Sequence, residues 1–266
     1  MNALEELISL FRQNEEYELE MCLRPKSGHM TLSKEVYDLR KQVLLRSMEE
    51  KLVEGFPIDK YWDFFYEDNV RMRCRLNVEP EVIRKTPITK LIAVCPQRDF
   101  AFHFHLKQEV VFKDWESLQT KKKIYARFQQ DVMRFRYKDA YEYVLKTVFE
   151  APTKESAAAQ PAKYEMELEL LHNIPYLDSK PDDEHATSFV EKALDLCGRY
   201  NSKNNTPEKL TMAFLVGGVQ EPSEPIVPVK KTKGRKKKVI DTSKQQCVDE
   251  VLKKQARPKK QIKKEE

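Results

Sequence analysis

Two short segments restrict what this chain can fold into: Glu18-Leu-Glu20-Met-Cys-Leu-Arg24 near the start and Glu165-Met-Glu167-Leu-Glu169-Leu-Leu171 past the middle. Both alternate charged and apolar residues with the period of two that defines a β-strand. One face of each strand is therefore a row of carboxylates, and Leu19, Met21, Leu23 or Met166, Leu168, Leu170 cover the other. Neighbouring same-face carboxylates repel one another. A single such strand is explained equally well by an exposed edge with a wet acidic face. Two of them lining one cavity make an oxygen-rich site suited to a hard divalent cation, Mg²⁺ or Mn²⁺.

The middle of the chain repeats the pattern with the opposite sign. Arg71-Met-Arg73-Cys-Arg75 puts three guanidiniums on one face, and Arg134-Phe-Arg136-Tyr-Lys138 puts three more cations in a row. In the run from Phe100 to Glu109, Phe100, Phe102, Phe104 and Leu106 form an apolar face, with His103, His105, Lys107 and Glu109 opposite them. A closed barrel with helices packed on its outer face and a charged lumen satisfies every strand at once. An open sheet with one wet face is the alternative, although such a sheet normally intersperses signs instead of clustering them. Carboxylates on some walls and Arg or Lys on others suit a metal plus a polyphosphate, with Arg offering a two-pronged fork and Lys a point charge. Phosphoryl transfer needs little more than such positioning and charge neutralisation.

Helical spacing of Leu4, Leu7, Ile8, Leu10 and Phe11 predicts a first amphipathic helix. A second is expected from the N-cap candidate Ser33 to about Glu54, stopped by Gly55 and Pro57, with Val36, Leu39, Val43, Met48 and Leu52 as its packing face. Residues 61–149 read as a long antiparallel meander, 155–162 as a loop, and 183–200 as a helical segment. The last stretch reads as a tail. Residues 229–266 carry 15 Lys/Arg and 5 Asp/Glu, a net of +10, whereas the whole chain is only +5, so residues 1–228 are at −5. The run Lys230–Lys238 is of the kind read by nuclear import or drawn to phosphate backbones, with a merely solubilising tail as the alternative. Domain limits are set at 1–215 and 216–266. Five scattered cysteines without a Cys-x-x-Cys pair argue against a zinc knuckle and for a reducing compartment. The absence of a basic n-region and of a spanning apolar run predicts a soluble, intracellular protein. The lack of a Gly-rich loop before Lys-Ser/Thr argues against a P-loop or Rossmann domain.

These segments, in this order, resemble the triphosphate tunnel metalloenzymes, specifically the fungal and DNA-virus type of mRNA capping RNA 5′-triphosphatase. The likeness spans residues 16–171 with gaps. Tyr17-Glu18-Leu-Glu20 resembles the family's first Glu-x-Glu strand and Tyr164-Glu165-Met-Glu167-Leu-Glu169-Leu its closing acidic strand. Asp63-Phe-Phe-Tyr66, the Arg71/Arg73 strand, Ile83-Arg-Lys85 with Ile88 and Leu91, Asp99 to Glu109, and Arg136-Tyr-Lys138-Asp139-Ala-Tyr-Glu-Tyr143 resemble the elements between them. Ala140 and Glu142 depart from the last motif, where the family carries Arg and Ser; Arg134 is a candidate substitute for the lost contact. Cys22 stands where the bacterial-type tunnel enzymes and adenylate cyclases carry Lys, which favours the capping branch.

The resemblance implies an α+β chain, mainly β with flanking helices, built on an eight-stranded antiparallel closed barrel. It further implies that Glu18, Glu20 and Glu169 hold Mn²⁺ or Mg²⁺, that Glu165 and Glu167 orient water or basic neighbours, and that Glu109 positions the attacking water. Arg73, Arg136 and Lys138 would act on the reacting phosphates, with Arg71, Arg75, Lys85, Lys107 and Arg134 binding the rest. His103 and His105 share the inward parity and are read as bystanders. The implied reaction removes the γ-phosphate of 5′-triphosphate RNA, nascent mRNA, to leave a 5′-diphosphate end. An mRNA guanylyltransferase is the implied partner. The implied location is the nucleus, or a viral factory in the cytoplasm for a viral protein. A homodimer is left open and no membrane is involved. A tunnel-fold hydrolase of inorganic polyphosphate or small organic triphosphates, and a non-catalytic RNA-binding protein, are the competing readings.

Overall fold

The structure is a computed structural model that describes residues 3–25, 31–94, 100–112, 118 and 121–197 of the 266-residue chain. Residues 198–266, with the expected domain limit at 215 and the basic tail, lie outside the described residues, as does Asp99. In chain order the strands are β1 (Tyr17–Pro25), β2 (Glu54–Gly55), β3 (Asp59–Tyr66), β4 (Val70–Arg75), β5 (Glu81–Val94), β6 (Phe100–Phe112), β7 (Lys123–Tyr137), β8 (Tyr141–Ala151) and β9 (Lys163–Leu170). Every pairing is antiparallel. The order β7-β3-β4-β5-β6-β1-β9-β8 closes through β7–β8 into an eight-stranded barrel, with β2 a two-residue extension beside β7.

Closure follows from the two faces of the strands. The outward set Leu19, Met21, Leu23, Phe102, Phe104, Leu106, Leu145, Met166, Leu168 and Leu170 is buried under helices, not under a second sheet. Helix α1 (Ala3–Arg12) contributes Leu4, Leu7, Ile8 and Phe11 to this core. Helix α5 (Asp182–Cys197) contributes Ala186, Phe189, Val190, Ala193 and Leu196, with the Phe189 ring edge-on to Phe104 at 5.5 Å. Each fully buried Leu or Phe stabilises by roughly 1.5–3 kcal/mol, so this helical layer carries much of the fold's hydrophobic energy. Apart from a small cluster of Tyr61, Val132 and Val144, the inner set is mostly charged and could not be packed dry; curling the sheet keeps it in a polar lumen.

Several expectations need correction. Helix α2 (Lys34–Glu49) starts at the expected cap, where Ser33 Oγ accepts from Val36 N at 3.3 Å, but it ends five residues before Glu54. Lys51, at φ 58, breaks it, and Glu54–Gly55 become β2. Its buried residues are Tyr37, Arg40 and Leu44, while Leu39, Val43, Met48 and Leu52 are exposed. The helix is rotated by about one residue, ~100°, from the expected face, because Tyr37 packs on Tyr164 of β9 (ring centroids 5.0 Å). Residues 155–162 are not all loop. Thr153 and Ser156 form a reciprocal capping box that starts a short α3 (Lys154–Ala158). A single turn, α4 (Ile174–Leu177), precedes α5.

Two bulges matter for function. On β5 the register shifts between Pro87 and Thr89, and on β7 between Gln130 and Met133. Pro lacks the ladder N–H, and Asp131 adopts φ 51, so each site supplies a residue that the ladder cannot use. One extra residue flips the parity of everything beyond it.

Candidate active site

β1 and β9 pair so that Glu20 lies opposite Glu169 and Cys22 opposite Glu167. Partners in register share a face, and Glu18 lies two residues from Glu20 on that face. As a result, one carboxylate oxygen from each of Glu18, Glu20 and Glu169 lies within 4.8 Å of the others. Glu20 is 6% exposed. Lys107, from the β6 register opposite Glu18, pairs with Glu20, and Lys85 donates to Glu18 at 2.6 Å and contacts Glu109. Burial and Glu18 push the Glu20 carboxyl up, but Lys107 and Lys85 outweigh them and hold it below its ordinary value. No cation pairs with Glu169 among the described residues; burial, with the charges of Glu18 and Glu167, pushes its carboxyl up to about 8. Three hard oxygens this close, one of them unable to ionise readily alone, form a donor set that fits a divalent cation.

The opposite wall is basic and is organised by one carboxylate. Asp63 on β3 is fully buried; Arg73 grips it with two bonds of 2.9 and 3.0 Å, Gln129 donates at 2.6 Å, and Arg71 approaches to 3.9 Å. Arg73 also lies over the Tyr61 ring at 4.0 Å. Arg75 pairs with Asp59 (2.9 Å) and Glu81 (3.5 Å). Further round, Arg127 bonds Glu165 (2.6 Å) and Glu150 (3.3 Å), and Lys146 pairs with Glu167. Burial lowers the affinity of Lys146 for its proton, but Glu167 more than reverses this, so the ammonium stays charged in the lumen. Arg134 and Arg136 converge on buried Glu142 at 3.4 and 3.2 Å. His103 and His105 face inward from β6, and burial, then Arg24, His105 and Lys90, push His103 down to about 4. Both imidazoles are thus held neutral. Burial and the neighbouring Glu20 and Glu167 also raise the Cys22 thiol, keeping it protonated.

The lumen therefore brings together Glu18, Glu20, Arg71, Arg73, Arg75, Lys85, Lys107, Glu109, Arg134, Arg136, Glu165, Glu167 and Glu169. Lys138 is not among them. β7 ends at Tyr137, and Lys138 and Asp139 form an exposed turn with φ 52 at both residues, so strand alternation no longer governs the side chain. Lys138 lies 5.2 Å from the Tyr137 ring centre. Ala140, in place of the expected arginine, is buried in the same turn and its carbonyl accepts from Leu171 N at 2.9 Å. The sequence patterns named Asp63 and Glu142 without giving either a role, and did not point to Arg127, Gln129 or Lys146. The alternation Tyr125-x-Arg127-x-Gln129 was available as a signal, but the bulge at Asp131 sets Arg127 and Arg134 on one face although their numbers differ by seven, an odd spacing.

An eight-stranded antiparallel barrel with acidic and basic inner walls defines the triphosphate tunnel fold, and this chain has it. The fold agrees with solved structures. The S. pombe Pct1 RNA triphosphatase matches with a TM-score of 0.57 at 12% identity, covering 76% of this chain and 95% of that one. The same protein in complex with the Spt5 CTD matches with a TM-score of 0.59 at 12% identity, covering 74% and 91%. A Mimivirus capping enzyme triphosphatase superposes less closely, with a TM-score of 0.48 at 13% identity over 70% and 94%. No protein-family model matches the sequence, and no curated protein matches it.

Proposed function

We propose that this chain is a metal-dependent polynucleotide 5′-triphosphatase of the mRNA-capping type. The observation that carries the reading is the meeting of Glu18, Glu20 and Glu169 within 4.8 Å inside a tunnel whose other walls bear Arg and Lys. A bound Mg²⁺ or Mn²⁺ would neutralise charge on the γ-phosphoryl oxygens. Arg71 and Arg73 on β4, Lys85 on β5, Lys107 on β6 and Arg127, Arg134 and Arg136 on β7 would clamp the triphosphate, releasing their present carboxylate partners in part. Glu109, held against Lys85, would orient a water in line with the γ-phosphorus. Glu165 and Glu167 fix Arg127 and Lys146, so their role is to position cations. Asp63 does the same for Arg71 and Arg73, holding their charges in place before substrate arrives, the preorganisation on which electrostatic catalysis depends.

The reaction assigned is release of inorganic phosphate from the 5′-triphosphate end of nascent mRNA, leaving a diphosphate that a guanylyltransferase can cap in the nucleus. The fold likeness to an RNA triphosphatase and the basic run Lys230–Lys238 support RNA over inorganic polyphosphate as substrate. The carboxylate cluster disfavours a purely RNA-binding role, since anion binding alone would be weakened by it. Phosphate release from γ-labelled triphosphate RNA, nucleoside triphosphate and inorganic tripolyphosphate, with and without Mn²⁺, tests the reading. Metal-dependent release from RNA upholds it, and absence of release from RNA with release from tripolyphosphate favours the polyphosphate alternative.

A further inference from the structure

We propose that Phe65 and Tyr125 form a nucleobase-binding platform at one mouth of the tunnel, on which the first base of the substrate stacks while its phosphates reach inward; this rests on the triphosphatase reading. The two residues pair in register across β3 and β7, and their rings stack at 4.3 Å and 10°. They share the inward face. Phe65 lies two residues from Asp63, and Tyr125 two from Arg127, whereas Trp62, Phe64 and Phe128 belong to the opposite face. Tyr125 accordingly feels Arg127, Glu150, Glu165 and Asp63. Both rings remain partly exposed. The inward apolar cluster is Tyr61, Val132 and Val144, and neither ring belongs to it; the inward neighbours of the pair are Arg71, Asp63 and Arg127, so packing into that cluster does not account for it.

Its place in the tunnel fits a base. The antiparallel order puts the C-terminal ends of β3, β8 and β1 and the N-terminal ends of β7 and β9 at one mouth. Outside the ring pair lie exposed Lys122 and Lys121, which pairs with Asp68 at 2.6 Å, while the Lys123 ammonium turns to the outer face over the Phe64 ring at 4.6 Å. One layer deeper, ~7 Å along the strands, come Asp63, Arg73 and Arg127. Arg71, opposite Phe65 in the register and 3.9 Å from Asp63, carries a buried Nε that makes no hydrogen bond. Glu20 and Glu169 lie toward the other end, three residues from Tyr17 and one from Leu170. From mouth inward the order is ammonium rim, aromatic pair, guanidinium layer and carboxylate cluster. It matches backbone, base, triphosphate and metal, and basic grooves with aromatic stacking surfaces are how single strands are gripped without sequence preference.

The test compares inorganic tripolyphosphate, which has no base, with ATP and 5′-triphosphate RNA, in wild type, the Phe65→Leu/Tyr125→Leu double variant, and Phe65→Tyr/Tyr125→Phe, which keeps two rings. Stacking of one base accounts for roughly a tenfold change in KM. The expected result is a KM about tenfold higher for ATP and RNA in the leucine variant. Its kcat and its tripolyphosphate kinetics should stay at wild-type values, and the ring-swapped variant should behave as wild type. A nucleotide KM that does not move in a folded leucine variant overturns the proposal, as does an equal rise for tripolyphosphate. Calorimetric binding in Ca²⁺ separates this from the activity. Wild type that prefers ATP over tripolyphosphate, with the preference lost in the leucine variant, upholds the platform even if no substrate is hydrolysed; equal binding of the two overturns it.

Discussion

At the scale of single residues, the inner wall separates groups that serve the lumen from groups that only share its sequence pattern. Lys138 has motif-like spacing from Arg136, yet it is exposed in a left-handed turn. Lys138→Ala should therefore leave turnover and stability near wild type, within about 0.5 kcal/mol. Arg127→Ala removes a guanidinium that two carboxylates already hold in position. Turnover should fall roughly 10²-fold, the usual loss on removing one preorganised donor, with Arg127→Lys recovering the fold but only part of the rate. Steady-state kinetics of the three variants, with melting curves beside them, check this pair of outcomes. His103 gives a pH signature. Its pKa falls from an ordinary 6.5 to about 4 on folding, through burial first and then Arg24, His105 and Lys90. The unfolded chain then binds more protons between those values, so this contribution to stability is fully present above about pH 6.5 and is lost as pH falls toward 4. Urea midpoints at pH 7.5 and 5 should differ less in His103→Gln than in wild type.

At the scale of elements, the strand alternation carried most of the site and the bulges hid the rest. Glu18/Glu20, Glu165/Glu167/Glu169 and Arg71/Arg73/Arg75 were legible because their strands run without interruption, so period two maps directly onto inside and outside. Arg127 and Gln129 were not, because the extra residue at Asp131 reverses parity halfway along β7, and nothing in the local composition announces it. The end of a strand was equally invisible at Lys138, one residue past Tyr137. Helix α2 shows the same limit in another form. Its cap was legible at Ser33, but which side packs was decided by Tyr37 against Tyr164, a contact between segments far apart in sequence. The β7 bulge makes its own prediction. Asp131→Gly suits the positive φ and should be neutral or slightly stabilising, whereas Asp131→Val should cost about 1–2 kcal/mol in urea unfolding. Deleting the residue should turn Arg134 and Arg136 away from Glu142 and abolish turnover.

At the scale of the whole molecule, a helix-backed barrel encloses a lumen in which most acidic and basic side chains are paired with one another. Among the described residues no helix is long and apolar enough to cross a membrane. The segment 229–266, at +10, is proposed as an RNA-tracking extension and not as part of the chemistry. A chain ending at residue 221 should turn over nucleoside triphosphate at the wild-type rate, while its RNA affinity at low salt falls and the slope of log affinity against log salt becomes shallower, because fewer counterions are released. Filter binding across a salt series reads both. Glu18, Glu20 and Glu169 are proposed to form a metal site that drives phosphate release. The most direct measurement of that role is γ-phosphate release from 5′-triphosphate RNA by wild type and by Glu20→Ala, each titrated with Mn²⁺ and paired with melting curves at the same metal concentrations. Wild type should release phosphate only with metal and melt higher as metal is added, by about 2.7 kcal/mol in stability at a hundredfold excess over Kd. The folded variant should show neither effect. Metal-independent release by wild type, or wild-type release by a folded Glu20→Ala protein, would contradict that role.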